Sequence, residues 1–187
     1  MIHLGRRRFV AGAAALPVCL LAPRANATLM RGLPLRALCA HSRHIALVSA
    51  LEARCVSLPI AGRPLIVTET NLRVEESLSK ATPERSEITV RTLGGVLDGV
   101  GELVHGQAEF SPGVRCVAFL TRAADGSLWV TGMAQGHYPL VAADNEPKLG
   151  ASPHLPTLRD FERSAVHGLV GRSLSQAREL IARESAP

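Results

Sequence analysis

The chain has 187 residues, with 21 Lys and Arg against 16 Asp and Glu, a net charge of +5. Arg6, Arg7, Arg8 and Arg24 fall in the first 27 residues, which hold no acid, so the rest carries 17 bases against 16 acids, a net of +1. That near-neutral balance gives no electrostatic footprint for nucleic acid. With only Phe110, Phe119, Trp129, Tyr138 and Phe161 beyond the leader, it also speaks against a base- or sugar-stacking platform.

Residues 1–27 read as a secretory signal peptide: a basic start, an apolar run from Phe9 to Ala22, and the small-x-small ending Ala25-Asn26-Ala27. The run is shorter than the roughly 20 residues of a membrane span, so the mature chain is expected to carry no transmembrane segment. Arg6-Arg7, a spacer, Phe9 and Val10 resemble the twin-arginine export motif, an address read by a machinery that carries folded proteins. An ordinary export signal with an extra arginine is the alternative. Cys19 follows Val18, where an acylated lipoprotein cysteine needs a small residue, and is expected to leave with the signal. The protein is therefore expected in the periplasm or outside the cell. The remaining residues suit one domain with a real core.

In chain order, "PLRALCAHSR" (34–43) predicts a short helix, with Pro34 at its start. "HIALVSALEARCVSL" (44–58) predicts a strand with Ile45, Leu47, Leu51, Ala53 and Cys55 on one side. "RPLIVTETNLRVEESL" (63–78) alternates most clearly. Ile66, Thr68, Thr70, Leu72, Val74 and Leu78 share the buried face, and Glu69, Asn71, Arg73 and Glu75 lie on a wet one. A strand of this length is often bent between two sides of a barrel. "SEITVRT" repeats the alternation. "ELVHGQAEF" (102–110) reads as strand-like, and "GVRCVAFLTR" (113–122) is apolar on both faces and so central. Asp125-Gly126 marks a hairpin. "HYPLVA" adds a short strand, and residues 143–156 a polar connector. Two helices are expected at the end: one over 157–168 capped by Thr157, and one from Ser173 with Gln176 as a capping box. The division expected is a β-barrel over 28–150 with a C-terminal helical segment, 151–187, packed on it.

Between 93 and 101 lies a loop with Gly94, Gly95, Asp98, Gly99 and Gly101. A phosphate cradle needs a helix after it, and neither the Walker pattern nor Gly-x-Gly-x-x-Gly occurs. Asp98 would repel a phosphate. The loop is read as a long connection between strands that could meet a partner.

"IVTETNLRVEESL", "ITVRTLGGVLDGVGELVHGQAEFSPGVRCVAFL" and "WVTGMAQGHYPLV" together resemble a family of exported bacterial proteins of uncharacterised function. The resemblance spans roughly residues 44–142 and the C-terminal helix. It implies a mainly β, small closed barrel of OB type, of about five to seven strands. It is distantly similar to the netrin-like domain of metalloprotease inhibitors, without the cysteine-first mature N-terminus those inhibitors use. The family carries no established catalytic residues to this sequence.

Candidate chemistry is sparse. His41 and His44 have helical i, i+3 spacing, and His105 sits in a loop region, so the three are weak candidates for a metal. Solvated or singly bonded histidines are the preferred reading. Cys55 or Cys116 beside a histidine could serve as a nucleophile, but both lie on apolar strand faces. The odd number of mature cysteines allows one bridge, with Cys55–Cys116 the candidate pair and Cys39 an alternative partner, against three small buried side chains. "GMAQGHY" places Gln135, His137 and Tyr138 together, as a pocket rim or as a glycine-relieved corner. The function expected is a non-catalytic binding or accessory module of the cell envelope, with no cofactor and no nucleic acid, meeting an envelope or secreted protein. Gly94, Gly95, Asp98, Gly99, Gln135, His137 and Tyr138 are the candidate contact residues. A small metal-dependent or hydrolytic enzyme using loop histidines is the second possibility.

Overall fold

A computed structural model describes residues 29–79, 86–143 and 146–186. The signal-peptide reading, with Cys19, lies outside them. The described chain is mainly β. Its elements run β1 (Leu29–Arg31), α1 (Leu35–His41), β2 (His44–Ile60), β3 (Arg63–Ser77), β4 (Glu87–Leu93), β5 (Gly95–Leu97), β6 (Val100–Glu102), β7 (Arg115–Arg122), β8 (Leu128–Val130), β9 (His137–Val141), β10 (Lys148–Leu149), β11 (Thr157–Arg159), α2 (Ala165–Leu169) and α3 (Leu174–Glu184).

Seven strands form one sheet in the order β10-β9-β7-β2-β3-β4-β8. β8 also pairs with β7, so β7, β2, β3, β4 and β8 make a ring of pairings. The longest ladder is β2 with β3, antiparallel through a two-residue turn at Ala61-Gly62, both at positive φ. Two register shifts interrupt it, between Leu47 and Val48 and between Ala50 and Glu52. Each extra residue bends its strand and exchanges the faces beyond it.

Those shifts correct two expectations. Leu51 is itself the extra residue on β2, so Ala53 and Cys55 lie on the face of Ala46, Val48 and Ala50 and not on that of Ile45 and Leu47. On β3, Ile66 to Val74 keep one face as expected. The extra residue Glu75 then sends Leu78 to the opposite side, where it packs with Ile45 and Leu47.

Inside the ring lie Ala46, Val48, Leu72, Val74, Val90, Cys116, Ala118 and Leu120, all fully buried. The other face of β2 and β7 offers Ile45, Leu47, Val117 and Phe119. This face is covered by Leu38 of α1, Val166 and Leu169 of α2, and Ala177 and Ile181 of α3. β7 is thus buried on both sides, as its doubly apolar sequence predicts. Large side chains so placed each contribute about 1.5–3 kcal/mol by leaving water. α3 starts as expected: the Ser173 hydroxyl accepts from the Gln176 N–H and the Gln176 side chain accepts from the Ser173 N–H. Its stripe of Leu174, Ala177, Leu180 and Ile181 faces the core.

The helix expected over 157–168 does not form as one piece. Thr157–Arg159 pairs in parallel with β1, Asp160 takes a left-handed φ of 58°, and the helix starts only at Ala165. Its cap is Ser164, whose hydroxyl accepts from the His167 N–H. Residues 103–110 are likewise irregular and not a strand, because Gly106 turns the chain at φ 82°.

The N-terminal strand is tied to the sheet by Gln135, which is fully buried. Its Oε1 accepts from the Leu33 N–H at 2.8 Å and its Nε2 donates to the Arg31 carbonyl at 3.1 Å. Gln135→Leu keeps the volume but strands both backbone groups. It is expected to lower the unfolding free energy by about 2 kcal/mol in urea titration. An unchanged midpoint would remove the tether from the account.

Candidate functional site

The glycine stretch that looked like a loop folds into its own hairpin. β5 and β6 pair Gly95 with Glu102, Val96 with Gly101 and Leu97 with Val100. Asp98 (φ 50°) and Gly99 (φ 78°) make the two-residue turn, with positive φ at both central positions. The turn is exposed, so Asp98 and Gly99 act as the hairpin tip.

Gly94 and Gly95 hold this hairpin down on the sheet. Gly94 has φ 94°, and a Cβ there would meet the Glu102 carbonyl at 2.7 Å. Gly95 has φ 134°, and a Cβ there would lie 2.6 Å from both Cys55 Sγ and Thr68 Oγ1. The Thr68 hydroxyl donates to the Gly94 carbonyl at 2.7 Å, and the Ile66 N–H donates to Glu102 Oε2 at 2.9 Å. Glu102 thus fastens the far strand of the hairpin to β3.

Beside the hairpin opens a cleft of about 570 Å³. Its floor is the polar end of the ring interior, with Thr68, Thr70 and Thr92, and its walls are segment 102–110 and residues 154–156. Thr70 is 2% exposed and Thr92 6%. Neither hydroxyl has a hydrogen-bond partner among the described residues. Glu102, His105, Glu109 and His154 supply the ionisable groups, and Glu109 Oε2 lies 2.5 Å from His154 Nε2. Val96, Val100 and Leu103 stand out beside it, 67%, 64% and 73% exposed.

Of the sequence candidates, Gly94, Gly95 and His105 line this cleft, with Asp98 and Gly99 at the tip of the adjoining hairpin. The second group lies elsewhere and inside the protein. Gln135 holds the N-terminal segment, His137 is 3% exposed and Tyr138 1%. His137 Nδ1 is 3.1 Å from Ser152 Oγ, and its ring meets Phe110 edge-on at 4.9 Å. Tyr138 packs edge-on against Phe119, and its hydroxyl is buried with no hydrogen-bond partner among the described residues. These three side chains line the core and not a pocket rim.

His41 is exposed while His44 is buried on β2, because α1 ends between them and the helical spacing is lost. They do not share a face. Among the described residues no group of three or more His, Cys, Asp or Glu could hold a metal ion. Cys39, Cys55 and Cys116 are free thiols. Cys116 pairs with Val48, seven residues from Cys55 along β2, which sets the two cysteines on the order of 20 Å apart at strand rise. That exceeds the Cα span of a disulfide, so the candidate Cys55–Cys116 bridge does not form and the alternative of free thiols holds. Burial raises the Cys116 thiol well above its ordinary range, with the Glu75 carboxylate adding to the effect, which leaves it unsuited to nucleophilic work.

What sequence reading missed is the cleft itself. The threonines were visible as the polar members of an otherwise apolar face, but Glu109, Phe110 and His154 come together only through the irregular segments.

No family, no curated protein and no solved structure matches this chain. Among the described residues no helix is long and apolar enough to cross a membrane.

Gly95→Ala would force either the φ of 134° or the contacts with Cys55 and Thr68 to give. Its expected cost is on the order of 1–3 kcal/mol, with faster amide exchange confined to the hairpin. Exchange at the native rate there would show that the pinch is not needed.

Burial holds the His137 imidazole down at about 4 from an ordinary 6.5, against the opposing pull of the Glu109 carboxylate. The unfolded chain therefore takes up this proton first. His137 gives its full stability above pH 6.5, loses it as the pH falls toward 4, and accounts for about 3 kcal/mol across that window. Unfolding free energies at pH 7 and pH 4.5 should differ more in the native protein than in His137→Gln, by about 2 kcal/mol. Equal differences would contradict a buried neutral ring.

Proposed function

We propose that the protein is an exported, non-catalytic binding or accessory module of the bacterial cell envelope, built on an OB-like barrel closed by helices. One observation carries this reading: the hairpin at the mouth of the ring displays Val96, Val100 and Leu103 to solvent beside a cleft with a polar floor. Exposed apolar side chains gathered at a concave site are what an interaction surface looks like. The ring of pairings β7-β2-β3-β4-β8 supports the barrel reading, and α1, α2 and α3 lie over one outer face of it. Export rests on the leader: Arg6, Arg7 and Phe9, the short apolar run, and Ala25-Asn26-Ala27. The resemblance to the exported bacterial family agrees with both.

The test is photocrosslinking in intact cells followed by fractionation, with the reactive group at Val100 and, as a control, at Arg73 on the wet sheet face. A discrete adduct in the envelope or periplasmic fraction from Val100 and none from Arg73 is expected. The Arg6→Lys, Arg7→Lys pair should keep the chain in the cytoplasm and abolish the adduct. A protein found in the cytoplasm with its native leader, or equal adducts from both positions, would overturn the proposal.

A further inference from the structure

The cleft beside the hairpin has an unbalanced lining. Its ionisable groups are the carboxylates of Glu102 and Glu109 with the imidazoles of His105 and His154, and among the described residues no Lys or Arg lines it. One Glu102 oxygen is taken by the Ile66 N–H and one Glu109 oxygen by His154, which leaves each carboxylate a second oxygen. A pair of acids alone is a weak argument. A second observation points to the same occupant: Thr70 and Thr92 are more than nine-tenths buried, line the cleft, and leave their hydroxyls without a partner among the described residues. Hydroxyls on the floor of a cleft ordinarily find a hydrogen bond from solvent or a ligand. Here the ligand would supply it, and an ammonium, with donors only, fits both the hydroxyl oxygens and the free carboxylate oxygens.

The surroundings tell what carries that ammonium. Val96, Val100 and Leu103 are the most exposed large apolar side chains of the described chain. β6 pairs with β5 on one edge and with no strand on the other among the described residues. A free strand edge, flanked by apolar side chains and opening onto an acidic cleft, matches an extended polypeptide with apolar residues next to a basic one. A free polyamine would use the acids and leave the edge and the apolar side chains unused.

We propose that this cleft docks an extended basic peptide segment of a partner protein, laid along β6 with a lysine side chain between Glu102 and Glu109. This rests on the binding-module reading and narrows its ligand. The volume of about 570 Å³ accommodates a lysine side chain and its neighbours.

The test uses the purified protein and a fluorescent Val-Lys-Val-Lys-Val peptide, read by anisotropy, with circular dichroism to verify that each variant is folded. Saturable binding is expected. Glu102→Gln with Glu109→Gln should weaken it about tenfold, since Gln keeps the acceptor for Ile66 and removes the charge. Val100→Ser with Leu103→Ser should weaken it several-fold, while Glu87→Gln on the wet sheet face should leave it unchanged. Spermidine should compete poorly. If Val-Glu-Val-Glu-Val binds as well, the charge preference is wrong while the binding module stands. If spermidine displaces the peptide efficiently, the site takes amines and not a strand. If neither peptide binds while the Val100 crosslink forms in cells, the partner has other chemistry; if neither occurs, both proposals fall.

Discussion

The β2–β3 ladder and the two extra residues in it set the shape of everything else. A two-stranded ladder this long, left regular, would run past any core that two short strands could close. The extra residues at Leu51 and Glu75 bend it, one on each strand. The bend brings β4, which follows β3, within reach of β8, which follows β7. It also explains the two-sided burial of β2: before Leu51 one face looks into the ring and the other toward the helices. Beyond Leu51 the helices no longer cover it, and Glu52, Ala53 and Arg54 are exposed.

Polarity changes along the inside of the ring. β3 contributes Val74 and Leu72 at one end, then Thr70 and Thr68 toward the hairpin. β4 follows with Val90 and then Thr92. A core designed for stability alone would stay apolar to the end, since hydroxyls placed out of water want partners. The threonines are affordable only because the cleft reaches them. The glycine pair has the same logic: Gly94 and Gly95 accept left-handed and extended positive-φ backbone so that the hairpin can close against Thr68 and Cys55. A tight lower hairpin and an open cleft beside it are two results of one local geometry.

How much of this could be read from residues alone follows from which signals are local. Alternation exposed β3 and β4 because one residue of sequence is one change of face, and β7 showed itself as a run apolar on both faces. It failed at Leu51 and Leu78, where a single extra residue inverted that parity with no mark in composition. Asp125-Gly126 was read as a hairpin turn and is one, with the Ser127 carbonyl accepting from the Ala123 N–H. Asp98-Gly99 carries the same signal and was passed over, because Gly94, Gly95 and Gly101 around it suggested an irregular loop. β11 was hidden because "TLRDFERS" has helical spacing, and only the pairing with β1 makes it a strand. His137 and Tyr138 looked like a site because they are polar. Their position after a tight turn, on a strand beside β7, put them in the core.

The polar outer face of β3 and β4 is a poor rival surface for a partner, because its charges are already paired. Glu69, 8% exposed, is held by Arg54 at 2.8 Å and Arg91 at 2.9 Å, and Arg91 reaches on to Asp125 at 3.2 Å. Burial alone would raise the Glu69 carboxyl, but the two guanidinium groups outweigh it and hold it below its ordinary range. Arg73 pairs with Glu87 and Arg115 with Glu75. Asn71 donates to Glu52 and accepts from Thr89. Cross-strand pairs of this kind stabilise a wet sheet modestly and satisfy each other. A partner docking there would have to break them before gaining anything. At the hairpin the balance is reversed: apolar side chains are in water, carboxylate oxygens are open and the two threonine hydroxyls of the cleft floor have no partner among the described residues. Binding at that end gains contacts and breaks none of these ion pairs, which is why the cleft, and not the charged sheet, is where a partner gains most.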